Sequence, residues 1–198
     1  MSNGATTALT QEIAAAGRGL IRLARHDPRW PDGFDVSTTG FFRSFFAPLL
    51  ALPFALVAAA LALSEGGMKT LSAATLWASG LSHLVSALAF PALVAIIARP
   101  FQLTVGYAAF IVLVNWTVLF TNLILCAAAP LTLLGKAGYG VFAFVLMMLM
   151  LTQLYLIWRA ARETLSVDYA PALLMVVLSV AVGVAADQVG GLIAGLVT

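Results

Sequence analysis

The stretch LSHLVSALAFPALVAIIARPFQLTVGYAAFIVLVNWTVLFTN, residues 81–122, decides how this chain folds. It contains two long apolar runs joined by Ala98, Arg99 and Pro100, and this interruption predicts a turn between two helices. His83 and Asn115 lie near the middle of the two runs. Because a polar group in hydrocarbon is costly unless it is paired, we expect one of two roles: a hydrogen bond between His83 and Asn115 that holds the two helices in register, or a site for a ligand, proton or ion.

The other parts of the chain share this apolar character. Of 198 residues, 62% are hydrophobic and 9% are charged, and the mean hydropathy is +1.03. Soluble domains are about half apolar and about a quarter charged, so the composition predicts an all-α, polytopic membrane helical bundle. The apolar runs predict five transmembrane helices within a domain covering residues 37–198, at approximately 39–63, 72–98, 103–128, 139–158 and 171–195.

Residues 1–36 are predicted to form a cytoplasmic segment that holds an amphipathic helix at 10–26. Its apolar residues fall on one side at helical spacing, and Arg18, Arg22 and Arg25 form a stripe on the other. This pattern favours an interfacial helix that contacts anionic lipid headgroups. In the alternative arrangement, the apolar side packs on the protein's own cytoplasmic face. Trp30 and Arg43 are also expected at the lipid surface, as an interfacial aromatic ring and a snorkelling cation.

The basic residues predict the orientation. All of them except Lys69 and Lys136 fall in the N-terminal region or in the loops after the second and fourth spans. The positive-inside rule therefore predicts a cytoplasmic N-terminus and an external C-terminus.

Asp187 is the only acidic residue inside the apolar segments. Seventeen apolar residues precede it from Ala170, so it either marks the outer end of the fifth span or carries a proton or cation within it. In the second case it would approach His83 or Asn122 from the fifth span.

Several function classes are excluded by the residues. The chain has no phosphate-binding Gly-Lys-Ser loop, no His-Glu-x-x-His helix and no Gly-x-Ser-x-Gly elbow, so we expect no enzyme. Its single cysteine and the distant placement of its two histidines predict no metal site and no cofactor. The net charge of +2 is spread around the spans, which argues against nucleic-acid binding.

Ten residues of this chain carry a resemblance to known proteins: Phe34, Asp35, Ser37, Gly40, Phe41, Arg43, Ser44, Phe45, Asn115 and Trp116. In these residues the chain resembles a group of five-span inner-membrane proteins of proteobacteria with no assigned activity, which implies that it lies in a bacterial inner membrane. More distantly, five spans behind a cytosolic N-terminus are similar to the Yip family of membrane-trafficking proteins, although the Asp-Leu-Tyr-Gly-Pro signature of that family is absent.

From the sequence we expect a non-enzymatic membrane protein that acts by association, as an accessory subunit or scaffold of a larger complex. The alternative is a small oligomeric transporter or channel that uses His83, Asn115, Asn122 and Asp187. Expected partners are anionic lipids at the cytoplasmic face and either other membrane proteins or further copies of this chain.

Overall fold

The computed structural model describes residues 2–65, 73–100 and 103–197, and these residues form helices and turns without a β-strand. The loop that carries Lys69 lies outside the described residues. Two 3₁₀ segments, Trp30–Gly33 and Ala129–Leu134, accompany the α-helices. The α-helices are α1 Ser2–Ala24, α2 Thr38–Ser44, α3 Phe46–Glu65, α4 Ala73–Ala98, α5 Thr104–Ala128, α6 Gly135–Leu165 and α7 Tyr169–Val197.

Four segments of the described chain are long and apolar enough to cross a membrane: Thr38–Leu61, Ala73–Ala98, Val105–Leu165 and Tyr169–Ile193. The third holds 61 residues and consists of α5, the second 3₁₀ segment and α6. The chain is therefore a helical membrane protein, as its composition predicted.

The first apolar segment is broken between α2 and α3. Pro48 has no N–H to donate to the carbonyl of Ser44, and its ring would clash with that carbonyl in a continuous helix. The chain accordingly leaves the helix at Phe45 and re-enters it at Phe46. Ser37 caps α2 by accepting a hydrogen bond from the backbone N–H of Gly40 at 3.1 Å.

Helix α5 forms the centre of the bundle. Every residue from 110 to 117 is buried, including Asn115, Trp116 and Thr117, so this stretch is covered on all sides. Helix α3 packs along α5 through Ala47 and Ala51, and the two ends of the long third segment meet where Gly106 of α5 lies against the Thr164 carbonyl of α6. Helices α5 and α6 are thus antiparallel neighbours.

Helices α4 and α7 are also antiparallel and in close contact. The Ser82 hydroxyl donates to the Ala186 carbonyl at 3.0 Å, and Gly190 lies directly against Ser82 and Ala78. At the other end of the pair, Ile97 of α4 faces Met175 of α7 across an apolar cleft.

The apolar side of α1 packs on the protein itself, which is the second of the two arrangements considered from the sequence. Ala16, Leu20 and Leu23 are buried in the clusters built around α5, and the Phe120 ring touches Gly17. The helix also begins earlier than predicted and ends at Ala24, two residues before His26, whose φ of 61° is left-handed.

Candidate solute cavity

A cavity of about 160 Å³ lies within the bundle and is lined by residues from all of α3 to α7. A water molecule needs on the order of 10–15 Å³ of such volume, so the cavity has room for several waters or one small solute. Its apolar lining includes Pro48, Phe90 and Ile157. Its polar lining consists of His83, Ser86, Asn115, Asn122, Gln153 and Ser179.

His83 lies in α4 and is half-buried. Its Nε2 is 2.9 Å from the Pro48 carbonyl oxygen, and since a carbonyl only accepts, Nε2 carries the proton of this hydrogen bond. The carbonyl can accept from the ring in addition to the helix because it has two lone pairs. No described residue binds Nδ1, so in the neutral ring this nitrogen is available as an acceptor.

Asn115 is 3% exposed and donates from Nδ2 to the Ser44 hydroxyl at 2.9 Å. Ser44 is fully buried and donates in turn to the Phe41 carbonyl at 2.7 Å. The three groups form a short chain in which each donor has an acceptor. The Asn115 amide oxygen receives no hydrogen bond from a described residue.

The structure therefore brings His83 and Asn115 to one cavity without joining them. If they act as interhelical clips, they do so separately, because both bind the first apolar segment, His83 at Pro48 and Asn115 at Ser44. Ser44 and Pro48 are four residues apart, about one helical turn. Sequence reasoning did not identify Ser44 as a partner, although a small polar residue just before a proline at the start of a span was an available signal.

The remaining polar residues of the cavity differ in whether they have a hydrogen-bond partner. Asn122 donates from Nδ2 to the Val118 carbonyl of its own helix at 2.9 Å, and Ser179 donates to Val176 at 2.7 Å. Ser86 and Gln153 make no hydrogen bond within the described part of the chain. Because α6 continues to Leu165, Gln153 lies inside the helix and reaches the cavity.

Asp187 is exposed and does not line the central cavity. It lines a second, adjacent space on the α6–α7 seam together with Gln153 and Ser179, which line both spaces. Helix α7 continues past Asp187 to Val197, so the carboxylate is not at the end of the helix.

The residues predicted to contact the lipid surface occupy different environments. Arg18 and Arg25 are exposed, whereas Arg22 is half-buried and donates to the Arg29 carbonyl at 3.2 Å. Arg43, expected to snorkel to the headgroups, forms an ion pair with Glu12 of α1. Trp30 is half-buried, and its ring packs against Phe34 with 6.3 Å between ring centroids.

The turn after α1 is organised by charge. Asp27 forms a two-point contact with Arg29, at 3.1 Å to Nε and 3.0 Å to Nη2. This hydrogen bonding lowers the pKa of Asp27 from 3.8 to about 2 and raises the pKa of Arg29. Hydrogen bonds from Ser37 lower the pKa of Asp35 in the same way.

Within the described residues, no group of three His, Cys, Asp or Glu side chains is placed to hold a metal ion. The polar groups of the described residues that line the central cavity are amides, hydroxyls and one imidazole. Comparison with family models, with curated proteins and with solved structures found no match to this chain.

Proposed function

We propose that this protein is a five-span membrane protein that binds a small polar solute in the centre of its bundle and lets it cross. One observation carries the proposal. Six polar side chains, contributed by four of the helices, line one cavity within the bundle. Packing alone does not account for this arrangement, because Ser86 and Gln153 have no hydrogen-bond partner among the described residues.

The count of five spans rests on the length of the third apolar segment. At about 1.5 Å per residue a straight helix of this size would extend about 90 Å, roughly three times the hydrocarbon core. The contact of Gly106 with Thr164 instead brings its two ends together, as two passes joined at Ala129–Leu134 require. With the basic residues in the N-terminal region and the second and fourth loops, we infer a cytoplasmic N-terminus and an external C-terminus in a bacterial inner membrane.

The lining defines the class of solute. Among the described residues that line the cavity, none is acidic or basic apart from His83 with its imidazole, so a full charge would lose its hydration without a counter-charge from them. A small solute that both donates and accepts hydrogen bonds matches the amide and hydroxyl groups. Asn115 Oδ1 and His83 Nδ1 are the acceptors left open by the protein.

Proteoliposomes test this function by stopped-flow measurement of water, urea and glycerol permeation, together with proton entry reported by a pH-sensitive dye. We expect at least one probe to cross faster than in protein-free vesicles. Ala87→Leu, which fills the cavity wall, should abolish the increase, and Val177→Leu on an exposed side of α7 should preserve it. Equal permeation of all four probes with and without protein would refute the proposal.

A second function, association with other membrane proteins as an accessory subunit or scaffold, is favoured by the outer side of α6. This side presents bulky exposed residues that need lipid or a partner: Val141, Phe144, Met147, Met148 and Leu151. A photo-crosslinker at Phe144 in native membranes should capture a defined protein, and the same group at Val177 should not. Capture of lipid alone at both positions would argue against association.

Contact with anionic lipid headgroups is the function we propose for the exposed edge of α1. Arg18, Arg22 and Arg25 surround a shallow depression together with Ile21, which is 55% exposed. Cations beside an exposed apolar side chain suit the boundary between headgroups and acyl chains. Arg18→Glu combined with Arg25→Glu should reduce copurified anionic lipid, whereas Lys136→Glu, at the distant start of α6, should not. Unchanged lipid content in the double variant would count against this contact.

A further inference from the structure

A groove of about 250 Å³ runs along the seam between α6 and α7, beside the central cavity. Asp187 is the only charged residue among those that line it. The floor is open at Gly183, where an added Cβ would meet nothing within 4 Å. The other lining residues are Met150, Gln153, Leu154, Ser179, Val180 and Val184.

The groove and the central cavity share two of their described lining residues. Gln153 of α6 and Ser179 of α7 line both spaces. The Ser179 hydroxyl is directed to the Val176 carbonyl of its own helix, and Gln153 makes no hydrogen bond within the described residues. Rotation of the Gln153 side chain therefore breaks no hydrogen bond to a described residue.

The groove lies at the depth of the cavity and not at the end of the bundle. Asp187 shares it with Met150 and Gln153, which are near the middle of α6. The preceding residue, Ala186, accepts the hydrogen bond of Ser82, next to His83 in α4. A charged carboxylate at this depth would be costly if it faced lipid hydrocarbon, because its charged form requires water or a partner.

We propose that the groove is a hydrated side entrance through which the neutral solute reaches the central cavity, and that the Asp187 carboxylate attracts cations and repels anions at its mouth. This inference rests on the proposed solute-binding function and adds the route and the charge preference at its mouth. A single carboxylate with low-dielectric walls raises the local concentration of cations and lowers that of anions. Gln153, which lines both spaces, lies between the mouth and the cavity.

Cysteine accessibility tests hydration directly, in a Cys126→Ser background in proteoliposomes. Charged methanethiosulfonate reagents react only with thiols that water reaches, so Asp187→Cys and Ser179→Cys should be labelled. Val177→Cys, more than half exposed on the same helix but outside the groove, should not be labelled. Lack of labelling at both groove positions would overturn the side entrance.

The charge preference has its own measurement. We compare the rate at which the cationic aminoethyl reagent labels Ser179→Cys with the rate for the anionic sulfonatoethyl reagent. The ratio of the cationic to the anionic rate should be higher in the protein than for a free thiol in solution. Adding Asp187→Asn should lower this ratio by about fivefold. An unchanged ratio would overturn the role of Asp187 even if the groove is hydrated.

Two glycines of α7 provide a matched test of the route. Gly183→Leu fills the groove, and Gly191→Leu adds the same side chain at a position that is equally open but does not line it. We expect Gly183→Leu to reduce labelling of Ser179→Cys by at least about tenfold and Gly191→Leu to leave it unchanged. Equal labelling in both would overturn the route.

Failure of the entrance is distinguishable from failure of the central cavity. If Ser86→Cys in the cavity is labelled while Ser179→Cys and Asp187→Cys are not, the cavity is hydrated by another path and only the entrance is wrong. If Asp187→Cys forms a disulfide with a second copy and resists labelling, the seam is an interface between two chains, which also overturns the entrance.

Discussion

Ser44 is a small residue that makes two hydrogen bonds within the bundle. It accepts from Asn115 and donates to Phe41, so it satisfies a buried amide donor and anchors the first apolar segment to α5. The Asn115 side chain is only 3% exposed. The cost of removing Ser44 is therefore that of an unpaired buried donor and not merely of a lost contact.

Ser44→Ala should lower the free energy of unfolding in detergent micelles by about 1 kcal/mol. Thr117→Val is the matched control, because Thr117 is equally buried on α5 but donates to the Leu113 carbonyl of its own helix. Its replacement should change the unfolding free energy by only a few tenths of a kcal/mol. An equal loss in the two variants would show that the Asn115–Ser44 bond adds nothing.

Asp27 and Arg29 make a second prediction at this scale, for pH. Because the folded-state pKa of Asp27, about 2, is below its ordinary value of 3.8, the pair stabilises the turn above pH 4, and this contribution is lost as the pH falls toward 2. Carboxyl NMR titration should report the low pKa, and Arg29→Gln should return it toward the ordinary value. Titration of Asp27 near pH 4 in the unmodified protein would contradict the contact.

Among the helices, α4 and α7 illustrate how a close contact between two backbones determines which face of one helix packs against the other. Gly190 leaves no room for a Cβ, because an added Cβ would lie against the Ser82 hydroxyl and only 2.8 Å from the Ala78 carbonyl oxygen. Gly191, the next residue, faces open space. Two adjacent glycines thus have opposite roles, which their sequence does not distinguish.

Gly190→Ala should destabilise the protein by about 1–3 kcal/mol, because α4 and α7 must separate and the Ser82–Ala186 hydrogen bond is strained. Gly191→Ala should be neutral or slightly stabilising, since alanine favours the helix. Thermal unfolding of both variants in the same detergent provides the comparison. Similar stability for both would mean that the helix pair adjusts freely.

For the whole molecule, the five proposed spans place the two termini on opposite sides of the membrane. Locating both termini therefore tests the architecture. Alkaline phosphatase fused after Thr198 should be active, and green fluorescent protein at the same place should be dark. Green fluorescent protein fused before Met1 should fluoresce. Fluorescence from both ends would require an even number of crossings, and it would also remove the basis for assigning the N-terminal arginines to the cytoplasmic leaflet.

The amino-acid pattern alone indicated the class of protein and the approximate positions of two of its long helices. Apolar runs such as 103–128 and 72–98 predicted the long helices α5 Thr104–Ala128 and α4 Ala73–Ala98 closely, because the length of a run follows directly from the thickness of hydrocarbon it must match. Hydropathy also identified His83, Asn115 and Asp187 as polar groups in apolar surroundings.

The partners of those groups became known only from the folded bundle. Partners depend on how each helix is rotated about its axis and how closely it packs, and the sequence pattern specifies neither. It assigned Asn115 to Ser44, docked α1 on α5, and brought Gln153 and Ser179 to the wall between two spaces. It also placed Asp187 beside the middle of α6, since α7 continues beyond the shortest length that a bilayer requires.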